Sequence, residues 1–205
     1  MRRTKEDAAL TRAAIVEGAL ACFDRHGISG STLEQIAREA GVTKGAIYHH
    51  FAGKGALFRE IREQVSVPLL DHADTTLLRP GCGLPALERI ERFLAGLLES
   101  IERDAVKRRA LTVLSFKCEY VDDMATQLRG SARNNERLLR AFEAAYREAR
   151  RKGEMPAGIV PRVAALETLM FLVGMVRLWL MHAPGHALRK GARATIRAHV
   201  DARRR

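Results

Sequence analysis

The residues best suited to chemistry crowd into one stretch, Gly41 to Phe58, which reads GVTKGAIYHHFAGKGALF. It holds a threonine (Thr43), two ammonium groups (Lys44 and Lys54), a phenol (Tyr48) and two imidazoles (His49 and His50), with no carboxylate among them. Such a set of donors and cations suits a polyanion such as a phosphate backbone. It does not suit paired-carboxylate acid–base work. Nor does it suit a metal ion, because adjacent helical residues such as His49 and His50 point about 100° apart. His182 and His186 are four apart, a spacing that serves a metal on a helix, but Pro184 and Gly185 break the helix between them. No nucleophile–base pair, metal cluster or phosphate-binding glycine loop occurs elsewhere, so the sequence predicts no enzyme and no cofactor.

Three predicted helices position this donor set. Apolar Ile15, Ala19, Cys22 and Phe23 recur along Glu6–His26 as one face of a first helix that Gly27 ends. Ser31 or Thr32 caps a second helix, with Gln35 completing a capping box for Thr32 and Leu33, Ile36, Ala37 and Ala40 facing inward. Gly41 stops it, and Thr43 caps a short third helix that turns Ala46, Ile47 and Phe51 inward. Helix, tight turn and helix make a helix-turn-helix. A fourth helix starts near Gly53 or Lys54 and runs to about Leu78.

The rest of the chain continues the helical pattern. Beyond a loop at Arg79–Pro85, helices are expected over Ala86–Arg103, Asp104–Phe116, Asp122–Lys152, Pro161–Met181 and Ala187–Ala202, with no strand-like alternation. The fold class is therefore all-α, with a DNA-binding domain at 1–53 and a second domain at 54–205. The 205 residues carry a formal net charge of +11, which points to an anionic partner, nucleic acid before membrane surface. Three widely spaced cysteines, Cys22, Cys82 and Cys118, argue against a disulfide framework and fit a reducing cytoplasm. Cys22 and Cys118 are expected to be buried small hydrophobes; the charges of Lys117 and Glu119 beside Cys118 cancel. The basic start is followed by no apolar run, so no secretory signal is read, and the apolar stretch Leu166–Met181, broken by Gly174 and Arg177, reads as a buried helix and not a membrane span.

The segment Thr11 to Phe58, TRAAIVEGALACFDRHGISGSTLEQIAREAGVTKGAIYHHFAGKGALF, resembles the DNA-binding domain of the tetracycline-repressor (TetR) family of bacterial transcription regulators. RRALTVLSFKCEYVDDM, Arg108 to Met124, is similar to the ligand domain of multidrug-efflux repressors of the acriflavine-resistance type, and RTKEDAALTR near the start agrees with that branch. Where many such repressors read Tyr-Trp-His-Phe, this chain has Tyr48-His49-His50-Phe51. The resemblance implies contacts to double-stranded operator DNA from Thr32, Thr43, Lys44, Gly45, Tyr48, His49 and Lys54. It also implies an apolar cavity for a small hydrophobic or amphipathic effector, lined by Phe93, Leu94, Leu97, Leu111, Leu114, Ser115, Leu138, Phe142, Leu169, Leu172, Val173 and Val176. The last two helices would form a four-helix homodimer interface. On the final helix Leu188, Ala192, Thr195, Ile196, His199 and Val200 share a stripe, and Arg189, Arg193 and Arg197 form another, expected to be solvated or to meet acidic groups of the partner. The function implied is a cytoplasmic, ligand-responsive repressor of an efflux operon. An activator of the same fold and a non-specific basic DNA-architectural protein stand as alternatives.

Overall fold

A computed structural model describes residues 5–78, 83–118 and 125–204. Among these residues every regular element is a helix: α1 (Lys5–His26), α2 (Leu33–Glu39), α3 (Lys44–His50), α4 (Lys54–Leu77), α5 (Ala86–Arg103), α6 (Ala105–Phe116), α7 (Ala125–Arg151), α8 (Pro161–Met181) and α9 (Ala187–Asp201). Helices α5 and α8 begin and end where the sequence predicts. Cys82, the expected α7 start at Asp122 and the end of the Arg108–Met124 segment lie outside the described residues.

The chain packs as two compact units, Met1–Ser66 with Val106–Gly130, and Val67–Ala105 with Ser131–Arg205. The division falls inside α4, whereas the expected boundary at 53/54 lies before that helix begins. The reason is packing: Leu57, Phe58, Ile61 and Val65 of α4 join the core of α1–α3, as do Ala110 and Val113 of α6. Pro68 follows just past the division, and its missing N–H leaves the Gln64 carbonyl without its helical donor.

In the first unit, Ile15, Ala19, Phe23, Ile36 and Ile47 are the centre of the core. Helices α1 and α2 meet closely at Gly18, where an added Cβ would sit 3.0 Å from the Cβ of Ala40. Cys22 is buried as expected, and burial pushes its thiol pKa up. Cys118 packs against the same core. Two polar ties fix the frame. The Arg12 guanidinium donates to both carboxylate oxygens of Glu60, at 2.8 and 2.6 Å, and lies 4.7 Å from the Phe51 ring centroid. The Lys54 ammonium donates to the carbonyls of Ile28 (3.1 Å) and Ser31 (2.9 Å), tying the α1–α2 loop to the start of α4.

In the second unit, Ile90, Phe93, Leu94, Phe142, Tyr146, Ala164, Ile196 and Val200 are buried. Pro85 gives α5 no side-chain cap, so Glu154 supplies one: its carboxylate accepts from the N–H groups of Ala86 and Leu87, both at 3.0 Å. Buried Arg89 meets Glu148 at 2.5 Å. The hydroxyls of Tyr146 and Thr168 lie 2.7 Å apart, and Thr168 reaches the His199 Nε2 at 2.9 Å. The His199 ring stacks on Phe171, and burial, helped by Arg203, lowers its pKa to about 4.

One expectation is sharpened and one corrected here: Arg193 and Arg197 are largely solvated as expected, and α8 is not a fully buried helix. The α9 arginines meet the chain's own α5, Arg193 with Glu99 at 2.6 Å and Arg197 with Glu91 at 3.5 Å. Arg189 instead donates to the Trp179 carbonyl at 3.1 Å and covers that ring. Helix α8 is buried on one side only, through Ala164, Ala165, Thr168, Leu172 and Trp179. Its other side exposes Val163, Met170, Val173, Leu178 and Met181, with Met170 70% accessible. Beside this face runs a groove of about 270 Å³ bounded by Met170, Phe171, Leu178, Trp179 and Leu188. By length and composition α8 is also apolar enough to cross a membrane, but only one side of it lacks cover.

Candidate nucleic-acid interface

Local chemistry builds the helix-turn-helix. Thr32 is the N-cap of α2: its hydroxyl accepts from the Gln35 N–H at 3.2 Å, while its own N–H donates to the Gln35 side chain at 2.8 Å. Ser31, the other candidate, is buried and donates to the Gly27 carbonyl. Gly41 has φ of +66°, the left-handed geometry that lets the chain reverse after Ala40. The Val42 N–H then closes the turn on the Ala37 carbonyl at 2.9 Å. Thr43 caps α3 by accepting from the Ala46 N–H at 3.2 Å. A hydroxyl that accepts still has a proton to donate, so Thr43 keeps a donor for an outside acceptor.

Helix α3 buries Ile47 and leaves Thr43, Lys44, Gly45, Tyr48 and His49 exposed. Positions 44, 45, 48 and 49 share one face by helical spacing. Tyr48 is 55% accessible, and its ring centroid lies 6.0 Å from the Lys44 ammonium. Gly45 is informative because the fold does not require it. An added Cβ there would meet only the Thr43 Oγ1, at 3.8 Å, an ordinary contact. A residue without a side chain at this point suits close approach by something outside the chain.

Six of the seven DNA-contact candidates, Thr32, Thr43, Lys44, Gly45, Tyr48 and His49, are exposed in this segment. Lys54 stands apart, half-buried with two donor positions engaged by backbone carbonyls. The sequence reading missed the Arg12–Glu60 clamp. Those residues are forty-eight positions apart and no local pattern couples them.

The twelve effector-site candidates are distributed over both units. Phe93, Leu94, Leu97, Leu138, Phe142 and Leu172 are buried in the second unit, with Phe93 and Phe142 edge-to-face at 5.6 Å. Leu111 and Leu114 pack against the core of the first unit, and half-buried Ser115 lies on the same helix, α6. Leu169 and Val176 are half-buried, and Val173 is 51% exposed on the apolar face of α8. His72, exposed and absent from the predicted lining, stacks on Phe93 at 5.3 Å, and its Nε2 would lie 3.3 Å from a Cβ added at Gly96. Among the described residues no three His, Cys, Asp or Glu side chains group as a metal site, and the His182 and His186 rings stack at 4.1 Å.

Comparison with known proteins agrees with this geometry. Residues 15–61 match the model for bacterial regulatory proteins of the tetR family. Residues 85–203 match the model for the C-terminal region of MAATS-type transcriptional repressors. The HTH-type transcriptional regulator TtgR of Pseudomonas putida is 31% identical over 188 residues, covering 88% of this chain and 85% of TtgR. The HTH-type transcriptional regulator AcrR of Shigella flexneri is 31% identical over 194 residues, covering 94% of this chain and 88% of AcrR. The crystal structure of NalD, the secondary repressor of the MexAB-OprM multidrug efflux pump in Pseudomonas aeruginosa, superposes with a TM-score of 0.86 at 27% identity, covering 97% of this chain and 99% of NalD.

Proposed function

This chain belongs to the tetR family of bacterial regulatory proteins, and on that premise we propose that it is a homodimeric repressor of a multidrug-efflux operon, released from its operator by a hydrophobic effector. The observation that carries the reading is the exposed α3 face, where Thr43, Lys44, Tyr48 and His49 surround a glycine that the fold itself does not need. That face enters a major groove, with Thr32 and Thr43 at its edge. Tyr48 and His49 bond phosphate oxygens and fix the register, and Lys44 reaches phosphate or a base edge past Gly45. Lys54 serves this surface indirectly, by holding the loop that precedes α2.

The apolar face of α8, continued by Leu188 of α9, is the dimer surface. A two-fold dimer carries two reading heads, so its operator is near-palindromic. The effector enters the second unit among Phe93, Phe142 and their neighbours, with His72 as a polar partner. An effector releases the operator only if it binds the DNA-free arrangement more tightly, and the coupling is reciprocal. The efflux target rests on NalD and on the efflux-repressor branch that the sequence resembles. A regulator of this kind works in the cytoplasm and needs no catalytic group.

The test is a footprint on the DNA flanking its own gene, with and without a panel of hydrophobic compounds. A symmetric footprint erased by one compound supports the reading. Salt-sensitive binding without any protected site favours the architectural alternative, and a site upstream of a promoter that the protein stimulates makes it an activator.

A further inference from the structure

The surface that faces DNA in this reading carries a carboxylate beside its lysine. Glu34 lies exposed in the first turn of α2, and its Oε1 accepts a charge-assisted hydrogen bond from the Lys44 ammonium at the start of α3. The Thr32–Gln35 capping box satisfies the N–H groups of Thr32 and Gln35, and Glu34 adds a favourable negative charge to the first turn of α2. The side chains of Glu34 and Lys44 are 58% and 48% accessible, so neither is held in place by burial. An exposed pair of this kind contributes little to stability. It does change what the reading face presents. The one cation on the exposed side of α3 meets solvent already partnered by a carboxylate, with the Tyr48 ring beside it. The hydrogen bond holds the Glu34 carboxyl below the usual carboxylate range and raises the Lys44 amine.

We propose that Glu34 is a specificity-determining residue, which holds Lys44 on the protein's own carboxylate until a matching duplex displaces it. The proposal rests on the DNA-binding reading above. On a random duplex, Lys44 gains a phosphate only by giving up Glu34, and the freed carboxylate then faces the phosphate backbone. The exchange returns little, so the electrostatic, sequence-independent part of binding is held down. On a matching site the carboxylate has somewhere to go, because a cytosine N4 amino group donates to Glu in the major groove. Lys44 is then free for a phosphate or for guanine O6 and N7. Glu34 therefore lowers non-specific affinity more than specific affinity, and selectivity is that ratio.

The experiment compares wild type, Glu34→Gln, Lys44→Ala and the double variant for binding to a short random-sequence duplex, by fluorescence anisotropy across a salt series. Both positions are exposed, so thermal midpoints should stay within about 2 °C of wild type; Glu34→Ser replaces Glu34→Gln if the latter melts lower. Glu34→Gln is expected to bind the random duplex about 3- to 10-fold tighter, the range of an exposed ion pair lost plus a repulsion relieved. Its salt slope should steepen by about one unit for each Lys44 that gains a phosphate. In the Lys44→Ala background the same substitution should yield less than about half of that gain and no change of slope. An equal gain in both backgrounds would make Glu34 a plain repulsive charge and overturn the proposal, as would no gain in either. If wild type shows no salt-dependent binding to any duplex, the DNA-binding reading falls and the proposal goes with it.

Discussion

Helices α3 and α8 each leave one face uncovered by their own unit, and the two faces are chemical opposites. On α3 the uncovered residues are Thr43, Lys44, Tyr48 and His49; on α8 they are Val163, Met170, Val173, Leu178 and Met181. The α3 face is well hydrated alone and gains by meeting phosphates and base edges. The α8 face is poorly hydrated and gains by meeting apolar surface. A dimeric regulator needs both kinds: a polar face that binds reversibly and selectively, and an apolar one that keeps two reading heads together. The contrast also separates two causes of exposure. Polar residues are exposed because water serves them, whereas a large apolar face is the kind of surface that contact with another apolar surface stabilises.

The sharpest way to break the contrast is to charge the apolar face. Met170→Asp with Val173→Asp should raise the dimer dissociation constant by about 100-fold or more, since each carboxylate desolvated at such a surface costs about 2 kcal/mol. Sedimentation equilibrium reads this directly, and an undisturbed dimer would move the interface elsewhere. Next in size is Lys54→Ala. Losing a charge-assisted anchor on two carbonyls should cost about 1 to 2 kcal/mol in denaturant unfolding while leaving the salt slope of DNA binding unchanged. A shallower slope with unchanged stability would make Lys54 a phosphate contact after all.

A third prediction concerns His199 in the second unit. Its folded pKa of about 4 lies below the unfolded value of 6.5. The unfolded chain therefore binds the extra proton first as pH falls. The contribution is fully present above about pH 6.5 and is lost progressively down to about pH 4. With the ring half-exposed and screened, the loss should be about 1 to 2 kcal/mol, and His199→Gln should flatten that part of the pH–stability profile. The smallest expected effect is on the polar face. Tyr48→Phe should weaken binding to every duplex sequence by about 3- to 10-fold, as expected for one phosphate hydrogen bond, with melting unchanged. Unaltered affinity would remove Tyr48 from the contact set.

Much of the first unit was legible because its determinants are local. A capping box from Thr32 to Gln35, a glycine at a left-handed turn and a capping threonine set α2, the turn and α3 within a few positions. The second unit was legible as helices and less so as surfaces. Periodicity marks α8 as apolar but does not say whether its own chain or a partner covers it, so a buried helix was expected where half of the face is open. The pairing of Arg193 and Arg197 with α5 joins residues 94 and 106 positions apart, and no spacing rule anticipates it. Nor does spacing along the chain announce that Leu111 and Leu114 of α6 pack against the core of the first unit. Lys54 was identified as important from its place after the turn, but what it touches depends on where the loop at Ile28–Ser31 folds back.

The most direct test of the account is selection from a random duplex library by the purified full-length protein, followed by sequencing of the retained DNA. The account predicts enrichment of one near-palindromic site, its two halves on one face of the duplex and each read by one α3. Retention of all sequences alike, in proportion to salt alone, would contradict it.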